Sequence, residues 1–399
     1  MPEPDAVRDY LALALELDHL LPGAVAARSG DFPAWRPRGS RPAALVREAG
    51  RLALALPDAG LDPRRERFLA AQLAAVECTA RRLAGQAVPF AVEIATCFGV
   101  PLRTGDEDAY LAAHRDLAAL LPGPGAPADR LAAHRAADVV PRDRLPAALA
   151  ACAALLRERS RTAGLLDGGP ADEHVAFRVV DDAPWRALLR RTGPGRSEVL
   201  VNAGARPRRS QLLRLVAHEA YPGHHVEQLR READLVDGRG WTEHRLVLQR
   251  SPQVLLTEGA AERGLDVLGL GAADAAGVLA DVGLPFDAEL AAGVDACVAR
   301  LARVRVDAAV LLHAHRAAPA DVHAHLRRWL LLDDAGAHRV LRAAADPRRR
   351  GQAVAYVDGA ELVGAWLSGS ALQRVQRWRE LIGGVRTPDQ LRRMVAVGR

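Results

Sequence analysis

Lysine is absent from this sequence of 399 residues, so all 54 basic residues are arginine. The absence excludes enzymes that work through a lysine Schiff base, among them the pyridoxal-phosphate enzymes. It also excludes standard P-loop nucleotidases and protein kinases, because both classes use a lysine to bind phosphate groups. Reactive groups in this protein must therefore come from other side-chain types.

Aromatic residues and cysteine are also scarce. Aromatic residues make up 4% of the chain, while much of its 49% hydrophobic content is alanine and leucine, a balance that favours helices over strands. The four cysteines form no CxxC pair and lie in apolar helical contexts, so we predict buried free thiols in a reducing compartment. They are Cys78, Cys97, Cys152 and Cys297.

Long hydrophobic segments are missing as well. The longest uncharged apolar run, 145–156, is too short to cross a membrane, and the first five residues show neither the basic nor the hydrophobic region of a signal peptide. Basic and acidic residues are interleaved without a basic stripe carrying aromatic residues, so the net charge of +5 does not favour nucleic-acid binding. We expect a cytoplasmic protein that binds neither membranes nor nucleic acids.

Apolar residues recur at helical spacing over most of the chain. Helices are predicted at 9–21, 41–56, 62–83, 106–121, 145–161, 210–221, 223–235, 252–268, 288–315, 321–332 and 356–381. Two segments, His174–Val180 and Ser197–Asn202, are rich in β-branched and aromatic residues and are predicted to form a short antiparallel strand pair. We therefore predict a mainly α fold, with an N-terminal helical region at 1–165 and a catalytic helical region at 166–399, which together can form one continuous domain.

Metal-binding side-chain types are concentrated in Leu215–Gln228 (LVAHEAYPGHHVEQ) and in the later Thr257–Ala260 (TEGA). Two histidines and one glutamate are the kind of ligand set found in an open catalytic zinc site, whose fourth position is left for water. A glutamate directly after the first histidine is where zinc peptidases place their general base. The two segments together therefore predict a catalytic metal site.

The spacing departs from the HExxH motif, in which two histidines four residues apart share one helix face. Here that position is Pro222, which cannot bind a metal, and on a straight helix neither His224 nor His225 can share a metal with His218. Proline followed by Gly223 breaks a helix, however. A two-residue bulge at the break would bring His224 to the usual place of the second histidine.

The helix break determines which residues we expect to bind the metal. The predicted metal ligands are His218, His224 and Glu258, and the predicted general base is Glu219. His225 is the competing second ligand, or otherwise a group that supports the site or faces the substrate.

The octapeptide His218–His225 (HEAYPGHH) resembles the signature HEAxPGHH of the bacterial domain-of-unknown-function 885 family, which looks related to helical zinc metallopeptidases such as carboxypeptidase Taq and angiotensin-converting enzyme. Further segments that resemble the family are Ser197–Asn202 (SEVLVN), Arg303–His313 (RVRVDAAVLLH) and Gly351–Gly359 (GQAVAYVDG). The resemblance extends over roughly residues 60–370. It implies a zincin-like hydrolase of the gluzincin type with a mostly helical shell. Many members have Gly-Trp after the ligand glutamate where this chain has Gly-Ala, a departure that concerns substrate specificity.

Three further residues are candidates for contact with the substrate. Tyr356 could donate a hydrogen bond to the oxyanion of a tetrahedral intermediate, or be a packed aromatic. Arg305 could bind a substrate carboxylate through two hydrogen bonds, or form an ordinary ion pair with Asp307. Asn202 could orient the substrate backbone, or cap a turn.

Two HxH pairs, His313/His315 and His323/His325, look like a second metal cluster. Because HxH on a helix points its two rings to different faces, we expect exposed or loosely packed histidines instead.

The sequence thus predicts a zinc-dependent hydrolase, a peptidase or amidase that acts on a small peptide or amide substrate through one zinc ion. Two alternatives stay open at this point. One is a metal-dependent hydrolase of a non-peptide amide or ester, and the other is a non-catalytic helical binding protein.

Overall fold

The computed structural model describes residues 3–30 and 36–397, and within these ranges the chain is mainly α-helical, as predicted. The α-helices are α1 (Asp5–Leu20), α2 (Pro42–Ala55), α3 (Pro63–Leu83), α4 (Phe90–Phe98), α5 (Glu107–Leu120), α6 (Pro127–Ala137), α7 (Leu145–Thr162), α8 (Arg209–Glu219), α9 (His224–Arg231), α10 (Pro252–Glu262), α11 (Gly264–Leu268), α12 (Ala272–Ala280), α13 (Ala288–Arg300), α14 (Val304–His313), α15 (Pro319–Leu330), α16 (Asp334–Ala345), α17 (Gln352–Trp366), α18 (Ala371–Ile382) and α19 (Pro388–Val397). The strands are β1 (Val25–Arg28), β2 (His174–Val180), β3 (Ala187–Gly193), β4 (Arg196–Asn202) and β5 (Leu246–Leu248).

Short acidic residues and prolines set where many of these helices begin. Asp62, Asp106 and Asp287 each accept a hydrogen bond from a backbone N–H two or three residues later, which satisfies a free donor of the first turn. Proline occupies one of the first two positions of α2, α3, α6, α10 and α15, where its missing N–H is not needed. These helix starts are therefore encoded locally.

A three-stranded mixed sheet, in the order β2–β4–β3, lies beside helices α7 and α8. The predicted antiparallel pairing of His174–Val180 with Ser197–Asn202 is wrong, because β2 and β4 run parallel. The chain between them contains a third strand, β3, which forms an antiparallel hairpin with β4 across Pro194-Gly195. Since β3 occupies one edge of β4, β2 pairs with the other edge in the parallel direction.

A second, two-stranded sheet joins the start of the chain to the segment that leads into α10. Strands β1 and β5 pair antiparallel, with Val25 opposite Leu248. The backbone N–H of Gln249 extends the pairing by donating to the carbonyl oxygen of Ala24 at 2.8 Å. This sheet was not predicted from the sequence.

The largest hydrophobic core takes side chains from both sides of residue 165. Leu149, Cys152 and Leu156 of α7 belong to the same buried cluster as Val199 and Val201 of β4. The predicted boundary at residue 165 therefore does not mark a break in the core.

Helices α10 and α17 cross at two glycines. A Cβ atom on Gly259 would lie 2.4 Å from the carbonyl oxygen of Gly359, and a Cβ atom on Gly359 would lie 2.3 Å from that of Leu255. Neither position can take a larger residue unless a backbone moves. The crossing keeps Glu258 on α10 near Tyr356 on α17.

All four cysteines are buried free thiols, as predicted. Among the helices of residues 3–30 and 36–397, none combines the length and the apolar composition that crossing a membrane requires.

Candidate metal centre

The helix that carries His218 is broken one residue later. α8 ends at Glu219 and α9 begins at His224. The backbone N–H of Gly223 donates to the carbonyl oxygen of Ala217 at 2.9 Å, which folds the break against the end of α8. A Cβ atom at position 223 would lie 1.9 Å from the carbonyl oxygen of His218, so only glycine fits. The predicted helix break is confirmed.

The break brings three potential ligand atoms into a triangle. Nε2 of His218 lies 3.1 Å from Nε2 of His224 and 3.4 Å from Oε2 of Glu258. The third side, from Nε2 of His224 to Oε2 of Glu258, is 3.5 Å. A tetrahedral zinc ion with bonds of about 2.0–2.1 Å separates neighbouring ligands by about 3.3–3.4 Å. The triangle therefore has the dimensions of one face of a zinc tetrahedron.

The electrostatics of the triangle favour a positive charge at its centre. Glu258 is 8% exposed, and among the described residues its Oε2 has no hydrogen-bond donor. Burial alone would raise the pKa of Glu258, but the two imidazoles lower it well below its ordinary value. Burial likewise opposes a charge on His218, yet Glu258 and Glu262 raise the pKa of its ring well above its ordinary value. A bound cation would meet the same stabilising field and would satisfy the unpartnered oxygen.

Glu262, which was not among the predicted site residues, supports the ring of His218 from the side away from the triangle. Its Oε1 lies 3.2 Å from Nδ1 of His218. Metal-binding histidines commonly donate their second ring N–H to a carboxylate, which fixes the tautomer and the orientation of the ring. Glu262 follows Glu258 by four residues on α10, so a search for acidic residues at helical spacing would have found it.

His225 lies outside the triangle. Its Nδ1 is 2.8 Å from Oγ of Ser197, its Nε2 is 3.0 Å from Oε1 of Glu173, and the residue is 1% exposed. A neutral ring satisfies both partners by accepting from the hydroxyl and donating to the carboxylate. Burial lowers the pKa of His225, which agrees with a neutral ring. The structure thus brings His224, not His225, next to His218 and Glu258, and it buries His225 against Ser197 and Glu173.

Glu173, which directly precedes β2, links the mixed sheet to the helix break through hydrogen bonds. Besides His225, its carboxylate accepts hydrogen bonds from the Tyr221 hydroxyl and from Nε of Arg157, the latter at 2.9 Å. Burial alone would raise the pKa of Glu173, but its hydrogen bonds lower the pKa to about 2. An ionised Glu173 therefore holds Tyr221, within the break, against the start of β2. This network was also missed, because its members are far apart in the sequence.

Glu219 and Tyr356 lie beside the triangle. Glu219 follows His218 directly and is half-buried, and its side chain makes no hydrogen bond or ion pair with any described residue. Tyr356 is 36% exposed, and the centre of its ring is 6.2 Å from that of His218. Loss of hydration, together with the carboxylates of Glu258 and Glu219, raises the pKa of Tyr356 well above its ordinary value. The phenol therefore keeps its proton at neutral pH and can donate a hydrogen bond.

Asn202 and Arg305 have different surroundings. Asn202 donates through Nδ2 to two loop carbonyls and accepts the N–H of Gly204, so its amide caps the turn after β4 and does not reach the triangle. Arg305 is exposed on α14 and has no ion pair within the described ranges. The alternative partner Asp307 instead accepts from the Tyr110 hydroxyl at 2.6 Å. Arg305 is therefore free to bind an external anion.

A second group of metal-binding side chains lies on α15 and α16. One donor atom each from His323, Asp334 and His338 lies within 4.8 Å of the others. Two of the three residues are exposed, and Asp334 is paired with Arg327 at 3.2 Å. In the described part of the chain, His325 and the histidines at 313 and 315 join no such group.

No protein-family model and no curated protein matches the chain. Two solved structures have a similar fold. One is a putative lipoprotein from Colwellia psychrerythraea, with 14% sequence identity and a TM-score of 0.52 over 90% of this chain and 68% of that chain. The other is a putative lipoprotein of unknown function from Shewanella oneidensis, with 13% identity and a TM-score of 0.52 over 89% of this chain and 72% of that chain. At this level of identity, the likeness shows the fold alone.

Proposed function

We propose that this protein is a zinc-dependent hydrolase of small peptides or amides. The observation that carries the proposal is the triangle of His218, His224 and Glu258, whose sides of 3.1, 3.4 and 3.5 Å match the ligand separations around tetrahedral zinc. Mixed nitrogen and oxygen donors suit zinc better than magnesium or calcium, which prefer oxygen ligands. The resemblance of HEAYPGHH to the signature of a zincin-like family supports the same proposal.

The residues around the triangle have the properties that hydrolysis needs. His218, His224 and Glu258 would hold a zinc ion, which would supply Lewis-acid activation of water and of a substrate carbonyl at neutral pH. Glu219 accepts a proton from the attacking water, since no described residue competes for its carboxylate, and then returns that proton to the leaving amine. The Tyr356 hydroxyl donates a hydrogen bond to the carbonyl oxygen as it becomes negative. Glu262 keeps the ring of His218 oriented.

The same groups would also hydrolyse a non-peptide amide or an ester. Glu219 and Tyr356 act only at the carbonyl group that is attacked, so the rest of the substrate need not be a peptide. The substrate panel must therefore include short peptides, N-acyl amino acids and simple esters. A helical binding protein without catalytic activity is the remaining alternative, and it would process none of them.

Zinc analysis combined with two substitutions tests the proposal. The purified protein should contain one zinc ion per chain, and His218→Ala should remove it. Glu219→Gln should keep the zinc and lower hydrolysis by about 100-fold or more, the usual effect of losing a general base. Hydrolysis that survives Glu219→Gln would show that the base is assigned wrongly, and zinc that survives His218→Ala would show that the metal binds elsewhere.

The second histidine group provides a matched control. His338→Ala removes an imidazole from a site of similar composition on α16 and should leave zinc content and hydrolysis unchanged. If His338→Ala removes the zinc and His218→Ala does not, the metal binds at the exposed group and the proposed active site is wrong.

We also propose a cytoplasmic location, because all four cysteines are buried and unpaired. The two solved neighbours are described as putative lipoproteins, so cell fractionation is the appropriate check. Recovery of the protein with the membranes would contradict the proposal.

A further inference from the structure

Five arginines near the candidate metal centre have no side-chain partner in the described part of the chain, although many other arginines of the protein are ion-paired. They are Arg135, Arg186, Arg208, Arg214 and Arg305. All five residues are exposed or half-buried. A guanidinium group that is not paired within the protein is free to bind an anion from outside.

The backbone brings four of these arginines to the side of α8. Arg214 precedes His218 by four residues on this helix, so the two share one face. Arg208 directly precedes the helix, and hydrogen bonds of 2.8 and 2.9 Å between 138–140 and 207–209 hold the end of α6, with Arg135, against this point. Arg186 directly precedes β3, whose residues contact α8, and its carbonyl oxygen accepts from the backbone N–H of Asn202 in β4 at 2.9 Å.

Arg305 joins the group from α14. Loss of hydration and the charge of Arg186 lower the pKa of Arg305, and loss of hydration and the charge of Arg208 lower that of Arg186. Loss of hydration, Arg208 and Arg305 lower the pKa of Arg135 to about 10. These repulsions agree with the backbone contacts around α8 and place Arg305 near the arginines gathered there. The five arginines therefore form one group of like charges, called the arginine cleft below.

Carboxylates of the protein do not neutralise the arginine cleft. Glu262 interacts with Arg186, Arg214 and Arg305, but its Oε1 is already 3.2 Å from His218. Asp295 interacts with Arg208 and Arg214 and accepts a hydrogen bond from Gln211. Asp333 interacts with Arg135 and accepts a hydrogen bond from the backbone N–H of Gly336. Three carboxylates, each with another partner, therefore face five guanidinium groups. An external anion would lower this repulsion.

We propose that the arginine cleft binds carboxylate groups of the substrate, so that the preferred substrates are acidic peptides or amides. This inference rests on the proposed hydrolase function. Glu262 contacts the ring of His218 at 3.2 Å and acts electrostatically on Arg186 and Arg305, so a substrate held by these arginines would lie near the candidate metal centre. Arginine binds a carboxylate through two parallel hydrogen bonds, and several arginines select a substrate with more than one carboxylate.

Binding of triglutamate tests the proposal. The full chain carrying Glu219→Gln is used, because this variant prevents turnover without changing the cleft. By isothermal titration calorimetry, triglutamate should bind more tightly than trialanine amide. Arg186→Gln combined with Arg305→Gln should weaken triglutamate binding by about tenfold or more, the usual effect of losing charge-assisted hydrogen bonds. Arg208→Gln combined with Arg214→Gln provides a second, independent variant.

Arg47→Gln is the matched control, since Arg47 is exposed on α2 and pairs with no residue in 3–30 or 36–397. This variant should bind triglutamate as the parent does. Equal binding of triglutamate and trialanine amide, or undiminished binding in both double variants, would overturn the proposal. Binding of inorganic phosphate without binding of triglutamate would overturn the assignment to carboxylates.

These outcomes are distinct from those that test the hydrolase. If the protein contains no zinc and hydrolyses nothing, triglutamate binding can still be measured. If triglutamate does not bind but neutral peptides are hydrolysed, the hydrolase stands and the arginine cleft has another role.

Discussion

The crossing of α10 and α17 makes Gly259→Ala the sharpest test of how this fold positions its candidate site. The added methyl group would lie 2.4 Å from the carbonyl oxygen of Gly359 and 2.9 Å from Cγ2 of Val363. A comfortable contact is about 3.4 Å, so the helices must separate by up to about 1 Å. Overpacking of this kind costs about 1–3 kcal/mol. The helix propensity of alanine returns only about 0.5–1 kcal/mol of that loss.

The expected net effect is a loss of about 1–2 kcal/mol of folding free energy, which lowers the melting temperature by about 1–2 °C in a protein of this size. Zinc affinity should fall as well, because Glu258 is the neighbour of Gly259 and moves with α10. Differential scanning calorimetry and competition with a chromophoric chelator measure the two effects separately.

Gly277→Ala is the matched control for this prediction. Gly277 lies inside α12, and a Cβ atom there would meet nothing within 4 Å. This variant should gain about 0.5–1 kcal/mol from helix propensity and keep full zinc affinity. If Gly259→Ala melts at the temperature of Gly277→Ala and binds zinc equally well, the close crossing does not position Glu258.

Two further predictions concern the groups behind the ligands. Glu262→Gln should weaken zinc binding by about 10–100-fold, because it removes the carboxylate that orients His218; unchanged affinity in chelator competition would contradict this role. Glu173 has a pKa lowered from 4.5 to about 2, so its ionised form stabilises the fold above about pH 4.5, and that stability is lost as the pH falls toward 2. The contribution is up to about 3 kcal/mol, and Glu173→Gln should therefore flatten the decline of unfolding free energy over this range. An acid-unfolding curve with the slope of the parent would refute this.

Most helices could be predicted from the sequence because their ends are marked locally. The predicted helix at 62–83 is observed as α3, with Asp62 at its cap and Pro63 at its first position. The predicted helix at 288–315 instead divides into α13 and α14 around residues 301–303, which contain neither glycine nor proline. Here tertiary packing, not local sequence, ends the helix. The parallel pairing of β2 with β4 escaped prediction for a similar reason, since it depends on where β3 packs.

The candidate ligands could be predicted because each carries its own signal. His218 and His224 lie on either side of a helix break that the Pro222-Gly223 pair predicts. In the structure both histidines lie close to Glu258. The partners of His225 could not be predicted in this way. Their side chains come from the sheet, and the choice between the two adjacent histidines depends on that packing.

The pairing of β1 with β5 links the amino-terminal segment to the candidate metal centre without any direct contact. Three residues after β5, Ser251 caps α10, and its hydroxyl donates to the carbonyl oxygen of Leu248 at 2.9 Å. β1 therefore holds in place the segment Leu246–Ser251, which leads into α10, the helix that carries Glu258. A fusion partner or a truncation that removes Val25–Arg28 from this sheet would free the start of α10. A change near the amino terminus would then alter the position of Glu258.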